Sequence, residues 1–139
     1  MSLFAAPSAL AGKRILIVED TLENLRLFRA ILELEDAVIL QADRALAGIE
    51  LAKTQLPDVI LMDMQMPEMD GLTAIGLLRS DPLTHGIPIV VITASAMNED
   101  RRRAHEAGCN GYITKPVDPL VFAEQIAKFM QNGSAASGL

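Results

Sequence analysis

Cysteine is nearly absent. Cys109 stands alone in the chain, so no internal disulfide can form, and nothing asks for an oxidising compartment. Long apolar runs are missing as well: none approaches the roughly 20 residues that cross a bilayer as a helix. The apolar start MSLFAAPSALAG (1–12) lacks the basic residues that open a secretory signal. Pro7 interrupts it, and Lys13 and Arg14 follow it instead of preceding it. Positive charge is in short supply: 12 Lys and Arg stand against 18 Asp and Glu, a formal net charge of -6. That is the wrong balance for a nucleic-acid surface. The densest basic run, Arg101-Arg102-Arg103, is short and reads as a solvated helix face. The expectation is a soluble, cytoplasmic chain without membrane insertion and without direct contact to nucleic acid.

What is present suits one compact domain. Half of the 139 residues are hydrophobic, enough for a single core. Short β-branched runs recur: RILIV (14–18), AVIL (37–40), DVILM (58–62), PIVVIT (88–93) and GYIT (111–114). They are almost continuously apolar, the signature of strands covered on both faces of a parallel sheet. Between them apolar residues recur at helical spacing: Leu22, Leu25, Phe28 and Leu32; Leu46, Ile49 and the alkyl stem of Lys53; Leu72, Ile75 and Leu78; Phe122, Ile126 and Phe129. Gly108 is placed to end a helix over 101–107. Pro57 separates the second helix from the third strand, and Asp118-Pro119 should open the last helix. The alternation predicts an α/β fold, a doubly wound five-stranded parallel sheet flanked by five helices. Residues 1–12 are expected as a loose N-terminal tail, 13–131 as the domain and 132–139 as a flexible C-terminal tail. No internal repeat is visible.

Ligands of such sheets bind outside the carboxyl ends of the strands, and there the polar residues fall. Glu19 and Asp20 follow ILIV, Asp63 follows VILM, Thr93 ends VVI and Lys115 follows GYIT. One acid at a strand end is ordinarily a helix cap or a terminator. Three acids, a hydroxyl and a lysine in matching positions are harder to assign to chance. Crowded carboxylates repel unless a cation joins them, and Lys115 alone is too little charge for three. Oxygen-only ligands favour magnesium over zinc or copper, and magnesium keeps positions open for water and phosphate oxygens. The edge therefore looks built to hold a phosphoryl group.

The motifs LIVED (16–20), LMDMQMPEMDG (61–71), VITASAM (91–97) and GYITKP (111–116), in this order and spacing, resemble the receiver domain of two-component response regulators over 13–130. VEDTLEN, DMQMPEMDG and EAGCNGYITKP further resemble stand-alone receivers of the cell-cycle regulator type and receivers attached to hybrid kinases. The resemblance implies a flavodoxin-like strand order 2-1-3-4-5. It implies a signalling switch, not a metabolic enzyme, that takes a phosphoryl group from a histidine kinase or histidine phosphotransfer protein and acts on a downstream protein target as a monomer or weak dimer. Asp63 would be the phospho-acceptor. Mg2+ would be held by Glu19, Asp20, Asp63 and the backbone carbonyl of Gln65, with Asp20 direct and Glu19 through water. Lys115 would pair with Asp63 at rest and with a phosphoryl oxygen afterwards, aimed by a cis Lys115-Pro116 bond. Thr93 would donate to the phosphoryl group, and Tyr112 would be the aromatic switch that turns inward with it. Gln65 and Ser95 match positions that tune hydrolysis.

Two other functions compete. A phosphohydrolase with an aspartyl-phosphate intermediate would want a second acid two residues after the first, where Gln65 stands. A degenerate receiver acting only as a binding module would not need all of Glu19, Asp20, Asp63, Thr93 and Lys115. His85 and His105 neighbour no motif and read as solvated, Cys109 as a small buried filler, and Met62, Met64, Met66 and Met69 as packing around the Asp63 loop.

Overall fold

The computed structural model describes residues 8–131. Five strands, β1 (Arg14–Val18), β2 (Val38–Ala42), β3 (Val59–Asp63), β4 (Ile89–Thr93) and β5 (Gly111–Thr114), alternate with α1 (Leu22–Glu33), α2 (Ala45–Gln55), α3 (Gly71–Ser80), α4 (Asn98–Ala107) and α5 (Phe122–Gln131). All neighbouring strands pair in parallel, in the order β2-β1-β3-β4-β5, as the resemblance implied. The near-continuous apolar runs of β1, β3 and β4 are explained by burial on both sides, whereas the edge strand β2 is only partly covered. Every residue of β3 and β4 is buried, and successive residues point to opposite faces. Leu16, Val18, Ile60, Met62, Ile89 and Val91 pack with α2, α3 and α4. Ile15, Ile17, Val59, Leu61, Val90 and Ile92 pack with α1 and α5.

Several local expectations are corrected. α5 begins at Phe122, not at Asp118-Pro119. Asp118 first closes a turn: its Oδ1 accepts from Leu120 N (3.0 Å), and its carbonyl accepts from Val121 N and Phe122 N. Leu22 and Leu46 are exposed. α2 instead buries Ala45, Gly48, Ile49 and Ala52, because it lies almost against β1. A Cβ on Gly48 would stand 2.7 Å from Val18 Cγ2, so only a small-residue face permits that approach. β2 runs two residues further than expected, to Ala42, and β3 includes Asp63 as its last residue. Gly108 ends α4 at φ +116, as a C-terminal glycine should.

The segment expected as a loose tail is anchored within its described part. Ser8–Gly12 turns back on the sheet: Leu10 is 1% exposed in the core beside α1 and α5, Ser8 Oγ donates to Glu35, and Gly12 N donates to the Asp36 carbonyl. Residues 1–7 and the C-terminal stretch 132–139 lie outside the described residues. No helix among the described residues is long and apolar enough to cross a membrane.

Candidate functional site

The strand ends deliver their polar residues to one edge. Glu19 follows the last residue of β1 and is buried, while Asp20 beside it is exposed; Asp63 ends β3 and is 6% exposed. One carboxylate oxygen from each of the three lies within 4.8 Å of the others. Lys115, just past β5, reaches into this group. Its Nζ is 2.9 Å from Glu19 Oε1 and 3.4 Å from Asp63 Oδ2. The tighter partner is thus Glu19, and the expected resting pair with Asp63 is the longer of two shared contacts. Burial opposes the charge on the Lys115 amine. The hydrogen bond that the amine donates to Glu19 and the charges of Asp63 and Glu19 outweigh burial and hold the amine above the ordinary lysine range. The Lys115-Pro116 bond is cis.

The loop after Asp63 is drawn in tightly. Gln65 N donates to Asp63 Oδ1 (3.1 Å), and Gly71 N donates to the Met64 carbonyl (3.1 Å). Gly71 serves this turn by having no side chain: a Cβ there would lie 2.8 Å from Met64 Cα. Asp70 caps α3 by accepting from Thr73 N (2.8 Å), and that bond keeps its carboxyl below the usual range. Met62 and Met66 are buried and Met64 and Met69 pack against the same core, in keeping with a packing role.

Thr93, the last residue of β4, is buried, and its Oγ1 accepts from Ser95 N (3.3 Å). The register sets Asp63 beside Ile92 and Thr93 beside Thr114, so Thr93 sits between β3 and β5. A cavity of about 180 Å³ opens beside the Asp63 loop, lined among others by Gln65, Thr93, Ser95, Asp100 and Tyr112. Tyr112 is 9% exposed and already points inward, its hydroxyl donating to the Ser95 carbonyl (2.9 Å). The guanidinium of Arg101 covers the ring at 4.7 Å from its centroid. The triple-arginine run is indeed exposed, but this first member has a specific seat. Arg102 and Arg103 pair with Glu99, and Arg102 also with Glu106.

Sequence reasoning missed Arg79. From the last turn of α3 its Nε donates to the Gly108 carbonyl (2.9 Å), Nη1 to the carbonyls of His85 and Ile87, and Nη2 to Asn110 Oδ1 (2.8 Å). It ties the C-terminal end of α4 to α3 and to the start of β4. The only sequence signal was an arginine in the last turn of an amphipathic helix, which ordinarily means a solvated end. His85 and His105 are exposed, and Cys109 is buried, its thiol pushed up to about 11 by burial.

Comparison with known proteins agrees with this geometry. The family model described as response regulator receiver domain matches residues 15–127. The polar-differentiation response regulator DivK of Brucella anthropi is 36% identical over 118 residues, covering 85% of this chain and 96% of that protein. Among solved structures, a putative response regulator from Chloroflexus aurantiacus superposes with a TM-score of 0.82 at 25% identity, covering 86% of this chain and 98% of that one. The receiver domain of sensor histidine kinase PA1611 from Pseudomonas aeruginosa, with a magnesium ion coordinated in its active-site cleft, superposes with a TM-score of 0.79 at 29% identity, over 86% of this chain and 98% of that one. The fold and the acidic edge define a two-component signalling module. The chain belongs to the response regulator receiver domain family, and among its relatives is the DivK type of regulator. Receivers of this family are phospho-acceptor switches that take phosphoryl groups from histidine kinases or phosphotransfer proteins.

Proposed function

We propose that Asp63 accepts a phosphoryl group from a phosphohistidine of a histidine kinase or histidine phosphotransfer protein, and that the resulting change of shape is read by a downstream protein target. A carboxylate oxygen of Asp63 attacks phosphorus, the phosphorus–nitrogen bond breaks, and the donor imidazole leaves and takes up a proton. The observation that carries this reading is the position of Lys115 Nζ, in contact with both Glu19 and Asp63 at the buried end of an acidic group. A fixed ammonium there offsets charge on the transferring phosphoryl oxygens, which is most of what such transfer demands.

Three carboxylates that offer oxygens within 4.8 Å of one another, only partly offset by the charge of Lys115, suit a hard divalent cation. Mg2+ would be held by Asp20, Asp63 and the Gln65 carbonyl. Glu19, with Oε1 on Lys115 and Oε2 accepting from Thr21 N (3.2 Å), would act through water. When bound, the ion supplies further positive charge at the phosphoryl oxygens. The buried Thr93 hydroxyl donates to one of those oxygens, and Tyr112 reports its position to the surface. In this reading the receiver unit spans 13–131, works in the cytoplasm and is a monomer or weak dimer.

The test is intact mass after incubation with acetyl phosphate and magnesium. One phosphoryl mass is expected on the wild type, none on Asp63→Asn, and none on the wild type in excess chelator. Wild-type yield from Asp63→Asn would overturn the assignment.

A further inference from the structure

Resting on the reading of Asp63 as acceptor, we infer that Asp100 is a positioning residue for the hydrolysis of its acyl phosphate, because it holds the hydroxyl proton of Ser95 away from the cavity lined by Thr93 and by the loop that follows Asp63. Ser95 is the node of the β4–α4 connection. Its N donates to Thr93 Oγ1, its carbonyl accepts from Tyr112, and its Oγ accepts from Met97 N (3.2 Å). A serine hydroxyl has one proton to give, and here it is donated to Asp100 Oδ2, a carboxylate acceptor of the kind that makes a charge-assisted bond. Both side chains line the cavity that Gln65 and Thr93 also line. With its proton given away, Ser95 cannot donate to a water in that cavity.

Dephosphorylation needs such a water. Its oxygen attacks phosphorus, the bond to the Asp63 oxygen breaks, and the water's proton passes to the departing inorganic phosphate while Asp63 regains its carboxylate. A freed Ser95 hydroxyl would orient the water and speed this step. Asp100 thus prolongs the phosphoryl lifetime without touching the reacting atoms. Because Asp100 lies in the first turn of α4, a partner that moves that turn would release Ser95 and shorten the signal.

The experiment follows first-order decay of the phosphorylated chain after the phosphodonor is removed, with thermal melts to check folding. Asp100→Ala should speed decay by about three- to tenfold, the span that one hydrogen bond supplies. Asp100→Asn keeps an acceptor oxygen for Ser95 and should restore decay to near the wild-type rate, a rescue that loss of helix structure would not predict. In a Ser95→Ala background, adding Asp100→Ala should change the decay rate no further, since no hydroxyl is left to release. Acceleration by Asp100→Ala that is equal with and without Ser95 overturns the inference, as does unchanged or slower decay in Asp100→Ala. A wild type that never acquires phosphate overturns the reading of Asp63 and this inference with it; uptake followed by uncoupled decay overturns this inference alone.

Discussion

On one face of the sheet, α1 and α5 bring the rings of Phe28 and Phe122 to 5.4 Å and bury Leu25, Ile31, Leu32 and Ile126 around them; on the other, α4 buries Ala104 alone. The first arrangement is held by large apolar side chains, whose contact is additive and insensitive to direction. The second is held by directed polar contacts: Arg79 on the Gly108 carbonyl and Asn110, Ser95 on Asp100, and Arg101 over Tyr112. A helix seated on few apolar contacts opens at lower free energy than one wedged into the core. The contrast therefore places a firm wall behind β3 and a displaceable helix next to Thr93 and Tyr112. For a switch this division is useful, because a small change of charge at Asp63 can move polar contacts but cannot repack two phenylalanines.

The contrast can be broken most forcefully at Phe122. Phe122→Ala should destabilise the protein by about 3–5 kcal/mol in urea unfolding. Arg79→Met keeps much of the stem but strands several acceptors, and it should cost about 1–3 kcal/mol while raising amide hydrogen exchange in α4 and leaving α1 and α5 protected. If Arg79→Met proves costlier than Phe122→Ala, or if α4 is as well protected as α5 in the wild type, α4 and the α1–α5 pair do not differ as described.

A smaller effect lies in alkaline solution. The folded protein holds the Cys109 proton up to about 11 against an ordinary value of 9.0. This contribution to stability is complete below pH 9 and is lost as pH rises toward 11. Lys115, raised above 10.5, loses its pairing over the top of the same window and beyond. Unfolding midpoints should therefore fall between pH 9 and 11, and Cys109→Ala should flatten the lower part of that fall. Equal slopes for wild type and variant would count against it. The smallest change belongs to the exposed Glu99. Glu99→Gln removes its pairs with Arg102 and Arg103, yet unfolding should not shift measurably, since exposed ion pairs contribute little. A clear loss there would mean that surface charge, not Arg79 and Ser95, holds α4.

Much of the candidate site could be read before any coordinates. Strands buried on both faces admit polar side chains only at their ends, so Glu19, Asp63, Thr93 and Lys115 stood out against apolar runs. Helix faces were read less well. Leu22 and Leu46 fit the helical period but lie outside, since a period finds a face only if the large residues are the buried ones. α2 turns its small residues inward because β1 leaves no room for larger ones. Leu10 was read as part of a tail because its burial depends on a turn that returns to α1 and α5, a contact without any local pattern.

The sequence by itself determined the five strand–helix units, their parallel pairing and the edge on which the acids meet, because hydrophobic period and polar punctuation act over a few residues at a time. Only the tertiary structure decided that Lys115 prefers Glu19 to Asp63, that Tyr112 rests inward under Arg101, that Arg79 fastens α4, and that Asp100 accepts from the Ser95 hydroxyl. Each of these turns on which of several competent partners lies within about 3 Å or over a ring face. That choice is made where segments from different parts of the chain are packed together, so no local pattern in the sequence carries it.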